Sequence, residues 1–204
     1  MNGAIDGVNY ILEFTWPMLA ICLVVISSLR LADLLINKKE FVLYKEVTSL
    51  IMIIYILCLF QIVTYQDMFD SAFGSNFVPF REIFRYSVFS KAFFKNVIGN
   101  ILLFMPFGLL TSYYIKNNKW WVSLLLLILS SFTIELTQLA IGRVFDIDDI
   151  LLNILGGMIG FYLYKLGKIV VDKLPKSINN RNVKDIGSII LIILVFLYLS
   201  KVVF

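Results

Sequence analysis

The chain has no histidine, two cysteines and four prolines, and it carries few charges: 18 Lys or Arg and 14 Asp or Glu in 204 residues. The missing histidine excludes a histidine general base, a histidine-containing zinc site and a Ser-His-Asp triad. Cys22 and Cys58 fall inside separate apolar runs, so they read as small core residues rather than as a disulfide or a metal pair. Charged residues make up 16% of the chain, where a soluble domain carries about 25%. Apolar residues take their place. They are 60% of the sequence, and the mean hydropathy is +0.88. The chain therefore reads as an all-α, polytopic membrane protein with no separate water-soluble domain.

Six apolar runs have the ~17–25 residues needed to cross a hydrocarbon core: 14–35, 47–64, 96–115, 120–141, 147–166 and 186–203. The N-terminus has no basic stretch, so no signal peptide is expected. The net charge of +4 follows topology, so no nucleic-acid partner is expected. Twelve basic residues lie in the loops at one end of the runs: Arg30, Lys38, Lys39, Lys45, Lys116, Lys119, Lys165, Lys168, Lys173, Lys176, Arg181 and Lys184. The opposite end has six: Arg81, Arg85, Lys91, Lys95, Arg143 and Lys201. The positive-inside rule then places both termini outside the cell membrane. Three segments are expected: two spans in 1–75, a core in 76–166, and a basic cytoplasmic linker with a final span in 167–204. No internal repeat is visible, which leaves an inverted-repeat transporter without support.

The connector between the second and third runs is rich in aromatic and basic residues. Phe80 and Phe84 are four apart, as are Arg81 and Arg85, so each pair shares a helix face. An amphipathic interfacial helix is expected here, with membrane lipid as its partner. Arg81 and Arg85 can also offer planar donors to a phosphate or carboxylate. Pro106, inside the third run, predicts a kink. Gly156 and Gly160 form a small-xxx-small pair, which predicts close approach by another helix.

The costly residues are polar ones at membrane depth: Asn96, Asn100, Glu135, Gln138, Asp146, Asp149 and Asn153. Short loops make runs three, four and five antiparallel neighbours. At 1.5 Å per residue, Asn100 lies about 6 Å below the outer end of its run, and Glu135 and Asn153 about 9 Å. Asn96 and Asn100, Glu135 and Gln138, and Asp146, Asp149 and Asn153 are spaced three or four apart, so each set occupies one face. The acids Glu135, Asp146, Asp148 and Asp149 have only Arg143 close in sequence, unless Arg81 and Arg85 fold over them. Three readings remain open. One is a structural amide and ion-pair network. Another is a pocket for a polar head group. The third is chemistry with Glu135 as acid or base, or with Asp146 and Asp149 positioning a metal. No cofactor is expected, and no nucleophile stands out.

These residues fall in blocks: Asn76-Phe-Val-Pro-Phe80, Asn96-Val-Ile-Gly-Asn100 running on to Met105-Pro-Phe-Gly108, Ser131-Phe-Thr-Ile-Glu135-Leu-Thr-Gln138, and Gly142-Arg143-Val-Phe-Asp146-Ile-Asp-Asp149 followed by Asn153-Ile-Leu-Gly156-Gly157. In this order they resemble the VanZ-like family of bacterial membrane proteins. The positions that match its motif are Asn100, Pro106, Gly108, Glu135, Gln138, Arg143, Asp146, Asp149 and Asn153. The resemblance implies a cell-envelope protein contributing to resistance to glycopeptides such as teicoplanin. Its ligand would be a lipid-linked cell-wall precursor or a lipoglycopeptide. It brings no catalytic assignment, and an intramembrane enzyme acting on a phosphate- or amide-containing envelope substrate is the alternative.

The charge bias makes a direct prediction. With Cys22 and Cys58 replaced by alanine, a cysteine at Ile141 should react with an impermeant thiol reagent in intact cells. A cysteine at Lys119 should react only after permeabilisation, and the reverse pattern would invert the topology.

Overall fold

The computed structural model describes residues 2–65, 75–116 and 118–203, with side chains described for 16–63, 75–116 and 118–194. The helices are α1 (Asn2–Ile36), α2 (Leu43–Tyr65), α3 (Arg81–Arg85), α4 (Lys91–Phe93), α5 (Gly99–Ile115), α6 (Trp120–Ala140), α7 (Ile147–Lys173) and α8 (Arg181–Val203), with a π-helical turn at Phe94–Ile98 leading into α5. Among the described residues there is no β-strand, only an isolated parallel bridge between Asn76 and Asp146. The all-α polytopic reading holds. Among the described residues, five stretches are long and apolar enough to cross a membrane: Trp16–Ile36, Leu43–Val63, Lys91–Ile115, Trp120–Ala140 and Ile147–Lys173. The sixth expected span falls in α8, whose side chains beyond residue 194 lie outside the described residues.

The chain divides into two compact units. The first comprises Met1–Ile62 and Asp172–Phe204. Its α1–α2 turn is held by charge: Arg30 donates Nε and Nη2 to Glu46, both at 2.8 Å, and Nη1 to Asp33 at 2.7 Å. Lys39 Nζ reaches the same Asp33 at 2.9 Å. The head of α8 joins this end. Asp185 Oδ1 accepts from the Tyr44 amide at 3.0 Å, and Arg181 pairs with Glu40 and donates to the Phe41 carbonyl. The basic α1–α2 connection and the basic start of α8 therefore lie at the same level.

The second unit, Val63–Val171, contains α5, α6 and most of α7. Here α5 and α7 touch backbone to backbone. A methyl group on Gly108 would lie 1.8 Å from the Gly157 carbonyl oxygen, one on Gly156 2.1 Å from that of Ile101, and one on Gly160 2.0 Å from that of Met105. The expected small-residue contact is therefore present, and Gly108 extends it onto α5. α6 closes on the same seam, since a methyl on Gly157 would meet Leu127 Cδ2 at 1.9 Å. Phe104, Leu127 and Phe161 are fully buried around it. α5 continues through Pro106.

The amphipathic helix expected between the second and third spans is broken. Residues 66–74 lie outside the described residues. After them, α3 lasts only from Arg81 to Arg85 and gives way to extended backbone at Tyr86. The helix restarts at Lys91, where Ser90 Oγ caps the Phe93 amide at 3.1 Å. A serine cap and the positive φ of 68° at Phe89 are both incompatible with continuous helix at that point. Phe80 and Phe84 do share a face, with ring centroids 6.3 Å apart.

The seam predicts a graded glycine series. Gly108→Ala and Gly160→Ala should each lower the stability of the detergent-solubilised protein by at least 1–3 kcal/mol, roughly the cost of overpacking a filled core. Gly167→Ala, which meets nothing within 4 Å, should leave the melting temperature unchanged or slightly raised. A thermal shift assay on the three variants measures this directly.

Candidate functional site

The N-terminal end of α7 must dispose of three aspartates in four residues. Asp146 precedes the helix and acts as its N-cap: Oδ1 accepts from the Asp148 amide at 2.9 Å, one of the helix's unpaired N–H groups. The same oxygen accepts from Asn76 Nδ2 at 2.9 Å. The backbone around Asn76 bridges to this end in both directions. Its N–H donates to the Phe145 carbonyl at 2.8 Å, and its carbonyl accepts from Ile147 at 3.0 Å. The rings of Phe77 and Phe145 stack with centroids 5.3 Å apart.

Glu135 reaches this end from α6. Its Oε2 accepts from the Asp146 amide at 2.9 Å. With the Gln138 amide turned to match donors to acceptors, Gln138 donates to Glu135 Oε1 at 2.9 Å and accepts from Arg143 Nη1 at 2.8 Å. That guanidinium nitrogen also donates to the Val63 carbonyl at 2.6 Å, near the C-terminal end of α2. Arg143, Gln138, Glu135 and the Asp146 amide thus form a continuous hydrogen-bonded chain. One turn deeper, Asn153 Nδ2 on α7 donates to Ser131 Oγ on α6 at 3.0 Å. Glu135, Ser131 and Asn153 are all buried, and Asn153 Oδ1 has no hydrogen-bond partner.

α5 adds the open side. Asn100 Nδ2 donates to Asp149 Oδ1 at 2.6 Å, and the Asn96 side chain lies beside the Tyr86 hydroxyl. Tyr86, Asn96, Asn100 and Asp149 are half-buried, in contrast to Glu135, Gln138, Asp148 and Asn153. They form a polar crevice with the Asp149 carboxyl group in its wall. Burial pushes the Tyr86 hydroxyl above its ordinary range, helped by the nearby Glu82 charge, so Tyr86 remains a neutral donor. The π-helical turn at Phe94–Ile98 contains Asn96; such turns are frequent at functional sites.

Within this unit the hydrogen bonds link Asn100 to Asp149, Gln138 to Glu135 and Arg143, Glu135 to the Asp146 amide and Asn153 to Ser131, and Asn96 lies one turn before Asn100. Arg81 and Arg85 do not fold over the acids. Arg85 donates to Glu82 at 3.0 Å with its side chain 71% exposed, and Arg81 is also exposed. Backbone amides take their place. Asp148 is 1% exposed, and its carboxylate accepts from the amides of Phe80, Glu82 at 2.7 Å and Ile83 at 3.2 Å. The sequence placed Asp148 among the acids needing partners but left Asp148 and Asn76 out of the candidate site, although both stand in matched blocks. Among the described residues, no group of three His, Cys, Asp or Glu side chains is arranged to hold a metal ion.

Burial raises the Asp146 carboxyl above the ordinary aspartate range; the Asp148 and Glu82 charges add to this, and its hydrogen bonds oppose it. A raised folded-state value means that the native protein holds this proton more tightly than the unfolded chain does. The stability so gained is complete below the unfolded value of about 3.9 and is lost as pH rises through the folded value. The melting temperature should therefore fall with rising pH above about 4, and Asp146→Asn, which keeps an acceptor oxygen, should flatten that slope. Asp146→Ala should cost about 1 kcal/mol through loss of the cap. Melting curves between pH 4 and 8 compare the three proteins.

The family described as VanZ/LLP1 matches residues 47–169, which contain the whole crevice. The protein named Protein VanZ of Enterococcus faecium is 36% identical over 75 residues, covering 36% of this chain and 46% of that protein. The match thus spans about half the length of this curated relative. No solved structure matches.

Proposed function

The chain belongs to the VanZ/LLP1 family, and from that premise we propose that it is a bacterial cell-envelope protein that lowers the access of glycopeptide antibiotics such as teicoplanin to their target. It does so without catalysis, by binding or shielding a lipid-linked envelope ligand at an outward-facing polar crevice. The observation that carries this reading is the half-buried set Tyr86, Asn96, Asn100 and Asp149 above the buried, hydrogen-bonded chain of Glu135, Gln138 and Arg143. Polar groups at membrane depth mark functional sites by default, and these are the members of the cluster that a ligand can reach. The crevice is rich in amide, hydroxyl and carboxyl groups. It therefore suits peptide amides or sugar hydroxyls better than a phosphate, which would meet Arg81 at the exposed rim.

An outward orientation is supported by the excess of basic residues in the loops at the other end of the apolar runs. Membrane lipid surrounds the exposed apolar faces. The enzyme reading has less support: Glu135 accepts from the Asp146 amide and the Gln138 side chain, so both its oxygens are engaged. Turnover of a purified envelope lipid that disappears in Glu135→Gln would reverse that preference.

Asp149→Asn keeps side-chain volume and an acceptor for Asn100 while replacing the carboxyl group by an amide. It should insert in the membrane at the native level and return teicoplanin susceptibility to that of cells lacking the protein. Full protection by this variant would contradict the proposal and leave a purely structural network.

A further inference from the structure

α3 has five residues, too few to hold a helix on propensity alone. It also starts on Phe80, which has no side-chain oxygen to cap the first turn and no cap hydrogen bond of its own. A normal N-cap side chain accepts from the second or third helical amide. In α3 those amides belong to Glu82 and Ile83, and both donate to Asp148 Oδ2. Asp148 Oδ1 accepts from Phe80 itself, which is held at φ 67°, an unfavourable conformation for a bulky residue. The cap thus comes from another helix, 65 or more residues later in the chain.

We propose that Asp148 is a positioning residue that caps α3 from α7 and thereby sets the rim of the crevice. The rim comprises Arg81 and Arg85 on α3 and Tyr86 immediately after it, where Tyr86 meets Asn96. Asn76 pins the same segment a few residues earlier, through its backbone bonds to Phe145 and Ile147. Released from Asp148, the segment from Phe80 to Tyr86 loses its helical turn and the hydroxyl loses its register against Asn96. The consequence for ligand binding rests on the reading of the crevice given above; the consequence for α3 does not.

The test uses the full chain in detergent or nanodiscs and reads hydrogen exchange and teicoplanin protection together. In Asp148→Ala, the amides of Glu82 and Ile83 should exchange about tenfold faster or more, as expected for local opening after loss of a cap. Exchange in α6 should stay unchanged, and teicoplanin protection should be lost. Adding Phe80→Asp gives α3 a cap of its own. The double variant should recover both the slow exchange and the protection, whereas a defect caused only by a cavity at position 148 would not be repaired from position 80. If Asp148→Ala does not fold, Asp148→Asn decides, because its one remaining acceptor oxygen cannot serve both the Phe80 amide and those of Glu82 and Ile83, and faster exchange is expected at one or more of the three. Unchanged exchange at Phe80, Glu82 and Ile83 in the folded variant, or a double variant as defective as the single one, overturns the proposal. Should the native protein give no teicoplanin protection, the functional reading fails while the exchange data still decide the role of Asp148.

Discussion

Carboxylates gathered at the head of a membrane helix are costly unless each finds donors, and that constraint organises this protein. Asp146, Asp148 and Asp149 solve it in three directions. Asp146 turns onto its own helix and to Asn76, Asp148 onto the amides of α3, and Asp149 onto Asn100 of α5. Glu135 then holds the Asp146 amide from α6. The connector and two neighbouring helices are thus fixed around one turn of α7. With three of its four acids oriented by backbone amides, the cluster needs only one arginine in its midst.

The glycine seam beneath makes this meeting possible. Side chains as short as asparagine and aspartate bridge two helices only where the backbones approach closely, and Gly108, Gly156 and Gly160 bring α5 and α7 into backbone contact. The polar head and the tightly packed stem therefore belong to one stripe of α7: Asp149 and Asn153 continue directly into Gly156 and Gly160. A hydrogen bond of this kind inside a membrane contributes on the order of 0.6–2 kcal/mol, too little to pull loosely packed helices together. The seam sets the distance, and the polar pairs set register and chemistry.

Much of this was legible in the sequence because it depends on local periodicity. Spacings of three and four placed Asn100, Glu135 and Asn153 on inward faces, short loops made their helices neighbours, and Gly156 and Gly160 announced a close contact. The parts that were not legible depend on groups with no letter in the sequence. Asp148 reads as another helix-start acid, yet its partners are main-chain amides more than sixty residues away. Asn76 acts through its backbone as well as its side chain. The arginines at positions 81 and 85 looked like natural partners for the acids by charge, but Glu82 lies closer to Arg85 along the helix. The break after Arg85 was hidden because the aromatic spacing of Phe80 and Phe84 fits a continuous helix equally well.

The central claim is that α5 and the head of α7 meet through Asn100 and Asp149. The most direct measurement is oxidative cross-linking in native membranes of a chain carrying cysteine at both positions, with Cys22 and Cys58 replaced by alanine. The account predicts a rapid intramolecular disulfide under mild oxidant, visible as an altered gel mobility that reduction reverses. Two cysteines that stay reduced under those conditions, in a chain that is inserted and expressed normally, would contradict it.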